Sequence, residues 1–187
     1  MLNKVAKQGA FFWWIRQGKF VYDYIEDSYS SSDATLNQND FKDKSFQMGV
    51  TGLDGIINDM TVRYNPNPAT DAWTVQTNAS DSGSKTRYNY SSDTIFFADF
   101  IKESTPAVKL RDYLNSNFND IKAIITATLI NPKHFNLEIG DIVQFDNSDM
   151  PMDVFGVAWT NYYFKVEENR WRNPKEKQMT FIQVSPK

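Results

Sequence analysis

Apolar and polar positions alternate with a period of two along much of this chain, and the clearest case comes first. Phe11–Arg16 and Lys19–Ile25 read as two strands joined by a Gln17-Gly18 turn, where glycine supplies the positive φ that a two-residue connection needs. In the second strand Phe20, Tyr22 and Tyr24 alternate with Lys19, Val21 and Asp23, which makes one face aromatic. The first strand is apolar on both sides, with Phe11, Trp13 and Ile15 pointing one way and Phe12 and Trp14 the other. Both of its faces therefore want cover, from a second layer of the fold or from a partner.

Further along, Asp27–Asp40 is polar and serine-rich and reads as a loop, and Lys44–Val50 as a short strand. Leu53, Ile56, Ile57 and Met60 fall at helical spacing behind Thr51 as cap, with Asp54 three residues on, which predicts a short helix. Thr61–Asn65 and Trp73–Thr77 read as a hairpin whose open loop is the breaker cluster from Asn65-Pro66-Asn67-Pro68 to Asp71. Asp81–Asn89 is polar with room for one helical turn, and Thr94–Ala98 is a strand. The strongest helix is Pro106–Phe118, with Thr105 as cap, Pro106 at the first helical position, and Ala107, Leu110, Leu114 and Phe118 on one stripe. Ala123–Ile130 is a β-branched strand ended by Asn131-Pro132, and a Gly140-Asp141 turn leads into a strand at Ile142–Phe145. Val154–Trp159, Tyr162–Glu167 and Gln178–Val184 complete the strands, with a charged turn over Arg170–Lys177. The sum is an α+β fold, mostly antiparallel β in a barrel or sandwich, with two helices. Residues 1–187 read as one structural unit or as two lobes, a hairpin, helix and strand lobe over 1–103 and a helix plus barrel-like lobe over 104–187.

Composition agrees with a strand-rich core. Hydrophobic residues are 41% of the chain and aromatic residues 15%, enough to exclude wholesale disorder and to favour strands over a helical bundle. A net charge of −3 lacks the basic excess of a duplex-DNA binder. The absence of cysteine removes disulfides, thiolate zinc sites and cysteine nucleophiles, and fits synthesis in a reducing cytoplasm. No apolar stretch is long enough to cross a bilayer as a helix, and residues 1–8 do not read as a secretion signal, so no membrane association is expected.

Candidate chemistry is sparse. His134 is the single histidine, sits in a turn and has no second imidazole to work with. Asp23, Glu26 and Asp27 cluster, but nothing around them would hold one acid protonated and another ionised, as glycosidase chemistry requires. Asp146-Asn147-Ser148-Asp149 with Asp153 is oxygen-rich, yet lacks the central glycine and closing glutamate of a calcium loop. Thr51-Gly52-Leu53-Asp54-Gly55 lacks the Lys-Ser/Thr ending of a phosphate loop. Arg170-Trp171-Arg172 with Lys175 and Lys177 mixes cations and an aromatic as single-strand binders do, but also as any exposed hairpin tip does. No catalytic, cofactor-binding or metal site emerges. The outstanding feature is Phe11, Phe12, Trp13 and Trp14, which reads equally as core strand or as a subunit interface, since large aromatics anchor interfaces. Trp73, Trp159 and Trp171 keep open a different class, a carbohydrate-binding β module with stacking platforms.

The order of the segments carries a resemblance. Gly9-Ala10-Phe11-Phe12-Trp13-Trp14 with Gln17-Gly18-Lys19-Phe20, then Thr51–Asn58 and Thr61-Val62-Arg63-Tyr64-Asn65, then Thr105–Leu114 and Leu137-Glu138-Ile139-Gly140-Asp141-Ile142-Val143, together resemble the C-terminal half of tailed-phage and prophage baseplate (tail-tip) hub proteins. That resemblance implies β-barrel domains related to tail-tube proteins, assembled as a trimer around a central channel. It implies contacts with tube or distal tail proteins on one side and a spike or fibre on the other, and hence a place in the virion tail tip after synthesis in the host bacterium. It also implies that family members are usually longer, with a tube-like domain ahead of the position where this chain starts.

Overall fold

The computed structural model of the chain describes residues 3, 6, 8, 9, 11–16, 18–24, 29–146, 158, 159 and 162–185. Among them the elements run β1 (Phe11–Arg16), β2 (Lys19–Tyr24), β3 (Ala34–Leu36), β4 (Gln47–Val50), β5 (Asp59–Asn67), β6 (Ala72–Ser80), α1 (Ser82–Tyr88), β7 (Thr94–Ala98), α2 (Ser104–Phe118), β8 (Ala123–Leu129), β9 (Ile142–Phe145), β10 (Tyr163–Asn173) and β11 (Glu176–Ser185). The fold is α+β and mostly antiparallel β, with the two helices α1 and α2 and helical backbone also at Asn3, Ala6 and Gln8. The chain divides into two compact units, one of Met1–Asp27 and Gly52–Ile121, the other of Ser28–Thr51 and Lys122–Lys187.

In the first unit, β1 and β2 form a two-stranded antiparallel ribbon, turned by Gly18 at φ 74°. A separate three-stranded sheet has the order β6-β5-β7, with β7 running parallel to β5. Alternation along β5 buries Met60, Val62 and Tyr64, which pack with Ala98 of β7 against Ala107, Leu110, Tyr113 and Leu114 of α2. This helix starts two residues before the proline: Glu103 is its N-cap and makes no side-chain cap bond, so Thr105 is not the cap. Pro106 still falls in the first turn, where its missing N–H costs nothing. Tyr113 takes the buried place expected for Phe118, which is 37% exposed at the last turn.

The helix expected behind Thr51 is instead a 3-10 turn, Leu53–Gly55, with Gly52 as its N-cap. Two glycines in five residues weaken an α-helix there, and Met60 already belongs to β5, so the apolar spacing spans a turn and a strand. The second α-helix is α1, capped by the Asp81 carboxylate on the Ser84 N–H at 2.9 Å. Asn58, fully buried, ties this region together. Its Nδ2 donates to Ser84 Oγ at 3.0 Å and the Tyr90 carbonyl at 2.9 Å, and its Oδ1 accepts from the Ser92 N–H at 2.9 Å.

The second unit is a six-stranded sheet of order β3-β9-β10-β11-β8-β4, curled into a half-barrel and antiparallel except for β3 beside β9. Its concave core is aromatic. The ring of Phe145 lies 5.0–6.1 Å from those of Phe41, Phe46, Trp159, Phe164 and Phe181, mostly edge to face. Of the strand expected over 154–159 only Ala158 and Trp159 are described, and the Trp159 side chain is 1% exposed within this core. The turn expected over Arg170–Lys177 is shorter: β10 and β11 run on to Asn173 and from Glu176, leaving Pro174 and Lys175 as the tip.

Candidate interaction surface

The β1–β2 ribbon converts sequence alternation into an aromatic face. Its register pairs Phe11 with Tyr24, Trp13 with Tyr22, and Ile15 with Phe20, so Phe11, Trp13, Ile15, Phe20 and Tyr22 share one side. On that side Trp13 stacks on Phe20 at 5.6 Å, Phe11 meets Tyr22 edge-on at 6.0 Å, and Phe20 and Tyr22 are 6.3 Å apart. The Trp13 indole N–H donates to Asn3 Oδ1 at 2.8 Å, which fixes the ring's orientation. The rings hold one another in place but are not covered: Ile15 is 60%, Phe20 49% and Tyr22 61% exposed. Among the described residues β1 and β2 pair only with each other, so the ribbon also presents strand edges.

Of the four residues expected to form an interface, Phe11, Trp13 and Trp14 are half-buried, and the side chain of Phe12 lies outside the described ones. Phe11 and Trp13 are therefore the inner part of the surface, and the open part is Ile15 at the end of β1 with Phe20 and Tyr22 of β2. The second strand's alternation carried that signal already. Exposed aromatic rings held rigid by their neighbours lose little rotamer freedom on docking, which suits a binding surface.

The remaining polar groups are arranged for structure. His134 is buried, with Nε2 3.5 Å from Asp40 Oδ2. Asp40 is itself held by the Asn37 N–H at 2.8 Å and the Asn131 amide at 2.6 Å. Burial, opposed by the Asp40 charge, pushes the imidazole below its ordinary value and favours the neutral ring. Lys177 is 3% exposed and directs its ammonium to the carbonyls of Phe135 (3.1 Å) and Leu137, and burial lowers its affinity for the proton. Lys122 is pushed down to about 8, first by burial and then by the nearby Lys165 charge. Thr51, which does not cap a helix, accepts the Lys122 N–H on its hydroxyl at 2.8 Å.

Among the described residues no three His, Asp or Glu side chains gather to hold a metal, and no helix is long and apolar enough to cross a membrane. Glu26, Asp27 and all of the 146–153 acidic segment except Asp146 lie outside the described residues, as does the Asp23 side chain. The three tryptophans that would serve as glycan platforms are differently placed. Trp159 is core, Trp73 is half-buried against Phe97 with ring centres 4.5 Å apart, and Trp171 alone is well exposed, at 52%.

No protein-family model matches the chain, and no curated protein matches it in sequence. Solved structures do match in fold. A chain of the virion of a native gene transfer agent particle superposes over 99% of this chain, with TM-score 0.66 and 12% identity. The 43 kDa tail protein of prophage MuSo2 from Shewanella oneidensis superposes over 97%, with TM-score 0.56 and 13% identity. The tail protein from Neisseria meningitidis MC58 superposes over 96%, with TM-score 0.58 and 11% identity. The chain spans 38% of the first of these and 52% of each of the other two. At such identity the likeness is one of fold, and it runs through both units.

Proposed function

We propose that the chain is a structural, non-catalytic component of a phage or prophage tail, at the hub of the tail tip or baseplate. The observation that carries this reading is the extent of the fold likeness: nearly the whole chain follows tail proteins of two prophage or bacterial sources and a virion chain. The described residues add a surface suited to assembly. In this reading the chain assembles as a trimer around a channel, meets tube or distal tail proteins on one side and a spike or fibre on the other, and resides in the virion after synthesis in the bacterial cytoplasm. The β1–β2 ribbon that carries Phe11, Phe12, Trp13 and Trp14 is the subunit interface, with Phe20 and Tyr22 as exposed anchors on its aromatic side.

Light scattering of the purified chain, together with co-expression beside the tube, distal tail and spike proteins of the same genome, tests the proposal. Trimers and stoichiometric co-purification with at least one tail protein are expected. A strict monomer that captures none of them overturns it.

A further inference from the structure

The β10–β11 hairpin is long for the sheet that carries it. On one side of β10, β9 pairs only at Phe164 and Lys165, and the loop before β9 adds bonds between Val166 and Gly140 and Asp141. From Glu168 to Asn173 the backbone continues as strand against β11 alone. Its outer edge, among the described residues, has no partner strand. Sheet edges of this kind either carry charges that keep other strands away or take up a strand that matches those charges.

The charges here are mostly of one sign. Arg170, Arg172 and Lys175 are exposed towards the tip of the hairpin. Arg172 is pre-ordered, with Nε and Nη2 both donating to Gln178 Oε1, at 3.0 and 2.8 Å. Of the nearby acids, Glu176 is paired with Lys42 at 2.6 Å and also feels the Arg172 charge, Glu167 lies 3.9 Å from Lys165, and Glu168 is exposed beside them, so the cations outnumber the acids at this end of the hairpin. Arg170 stands opposite Gln178 in the register, and Arg172, at the register shift before Asn173, reaches the same Gln178 through its side chain, which brings the two guanidiniums to one side of the hairpin. The other face carries Trp171, held edge-on by Phe135 at 5.2 Å.

We infer that the open edge of β10 over Glu168–Asn173 takes up an extended acidic segment of another protein as an added strand, with Arg170 and Arg172 pairing its carboxylates. The backbone supplies the hydrogen-bond ladder and the two guanidiniums supply selectivity for alternating acids. A single-stranded nucleic acid fits less well, because the Lys177 ammonium already sits 5.5 Å over the indole of Trp171, where a base would stack. This surface is distinct from the aromatic ribbon and does not depend on the tail assignment.

The test is fluorescence anisotropy with labelled peptides on the full chain. An acidic peptide of alternating glutamate and valine should bind and weaken with added salt, while the lysine and valine counterpart should not bind. The acidic peptide N-methylated on alternate residues, which cannot form a ladder, should bind at least about tenfold more weakly. The double variant Arg170→Glu/Arg172→Glu should lose acidic-peptide affinity by a similar factor, and its unfolding midpoint in urea should match wild type, since both side chains are exposed. Should that variant unfold early, Arg170→Gln gives the same reading through a smaller loss. Equal binding of acidic and basic peptides, indifference to N-methylation, or preferential binding of oligothymidylate through the same arginines would each overturn the inference, as would no binding at all.

Discussion

Lys177 offers a sharp test of how the second unit is held together. Its ammonium is buried and donates to two backbone carbonyls, those of Phe135 and Leu137, just after the 3-10 turn Pro132–His134. The Lys177→Met variant keeps the apolar stem and removes the donors. Each carbonyl left buried without a donor costs about 1–3 kcal/mol, a gross penalty of roughly 2–6 kcal/mol. Against this stands the relief of no longer desolvating an ammonium, the same burial that pulls down its affinity for the proton. A buried ion pair can be exchanged for apolar groups at little cost because both partners change together. Here the acceptors are main chain and cannot be replaced, so the penalty should dominate, and a net loss of about 2–3 kcal/mol is expected. Urea unfolding followed by tryptophan fluorescence reports it directly, with Trp171 lying beside the lost cation. A Met variant as stable as wild type, or more stable, would show that these carbonyls find other partners and that Lys177 is merely tolerated.

Three further outcomes follow from the same structure. Since burial holds the folded His134 pKa below its unfolded value of 6.5, the unfolded state takes up the proton first as pH falls. Its stabilising contribution is complete above that value and is lost below it, so His134→Gln should flatten the fall in unfolding free energy between neutral pH and about pH 5. Asn58→Ala empties a fully buried position and leaves the buried Ser92 N–H and the part-buried Tyr90 carbonyl without their partner, so it should cost about 2–3 kcal/mol by thermal or urea unfolding; a loss below about 1 kcal/mol would contradict the network described. Phe20→Ser with Tyr22→Ser removes two rings that are 49% and 61% exposed, so monomer stability should change by only about 1–2 kcal/mol while sedimentation shows self-association or tail-protein binding sharply reduced.

Local patterns in the sequence located the local elements. The β1–β2 ribbon follows from alternation and Gly18, the β5–β6 hairpin from its breaker cluster, and α2 from its buried stripe. What escaped depends on distant partners. β3 is three residues in a serine-rich stretch and exists because Ala34–Leu36 lie parallel to Val143–Phe145, more than a hundred residues later. No window of sequence contains that pairing. Residues 51–60 misled because two short elements in succession reproduced a helical period. The aromatic surface was readable as a composition, but which of its rings stay uncovered is a matter of packing. The open edge of β10 became visible only with the register, since it requires knowing where β9 stops.

The position of β11 in its sheet has a consequence for biogenesis. The latest of the six strands in sequence, β11, lies between β10 and β8, so it joins β3, β9 and β10 on one flank to β8 and β4 on the other. As the ribosome releases the chain from its N-terminal side, the β5–β7 sheet and α2 are complete once residue 121 has emerged, and that unit has its whole core to hand. The half-barrel must wait for residues 176–185, holding two flanks of strands that cannot yet meet. A stalled or clipped chain lacking those ten residues would carry a finished first unit beside an open, aromatic-lined second one, the form that chaperones and proteases would be expected to recognise.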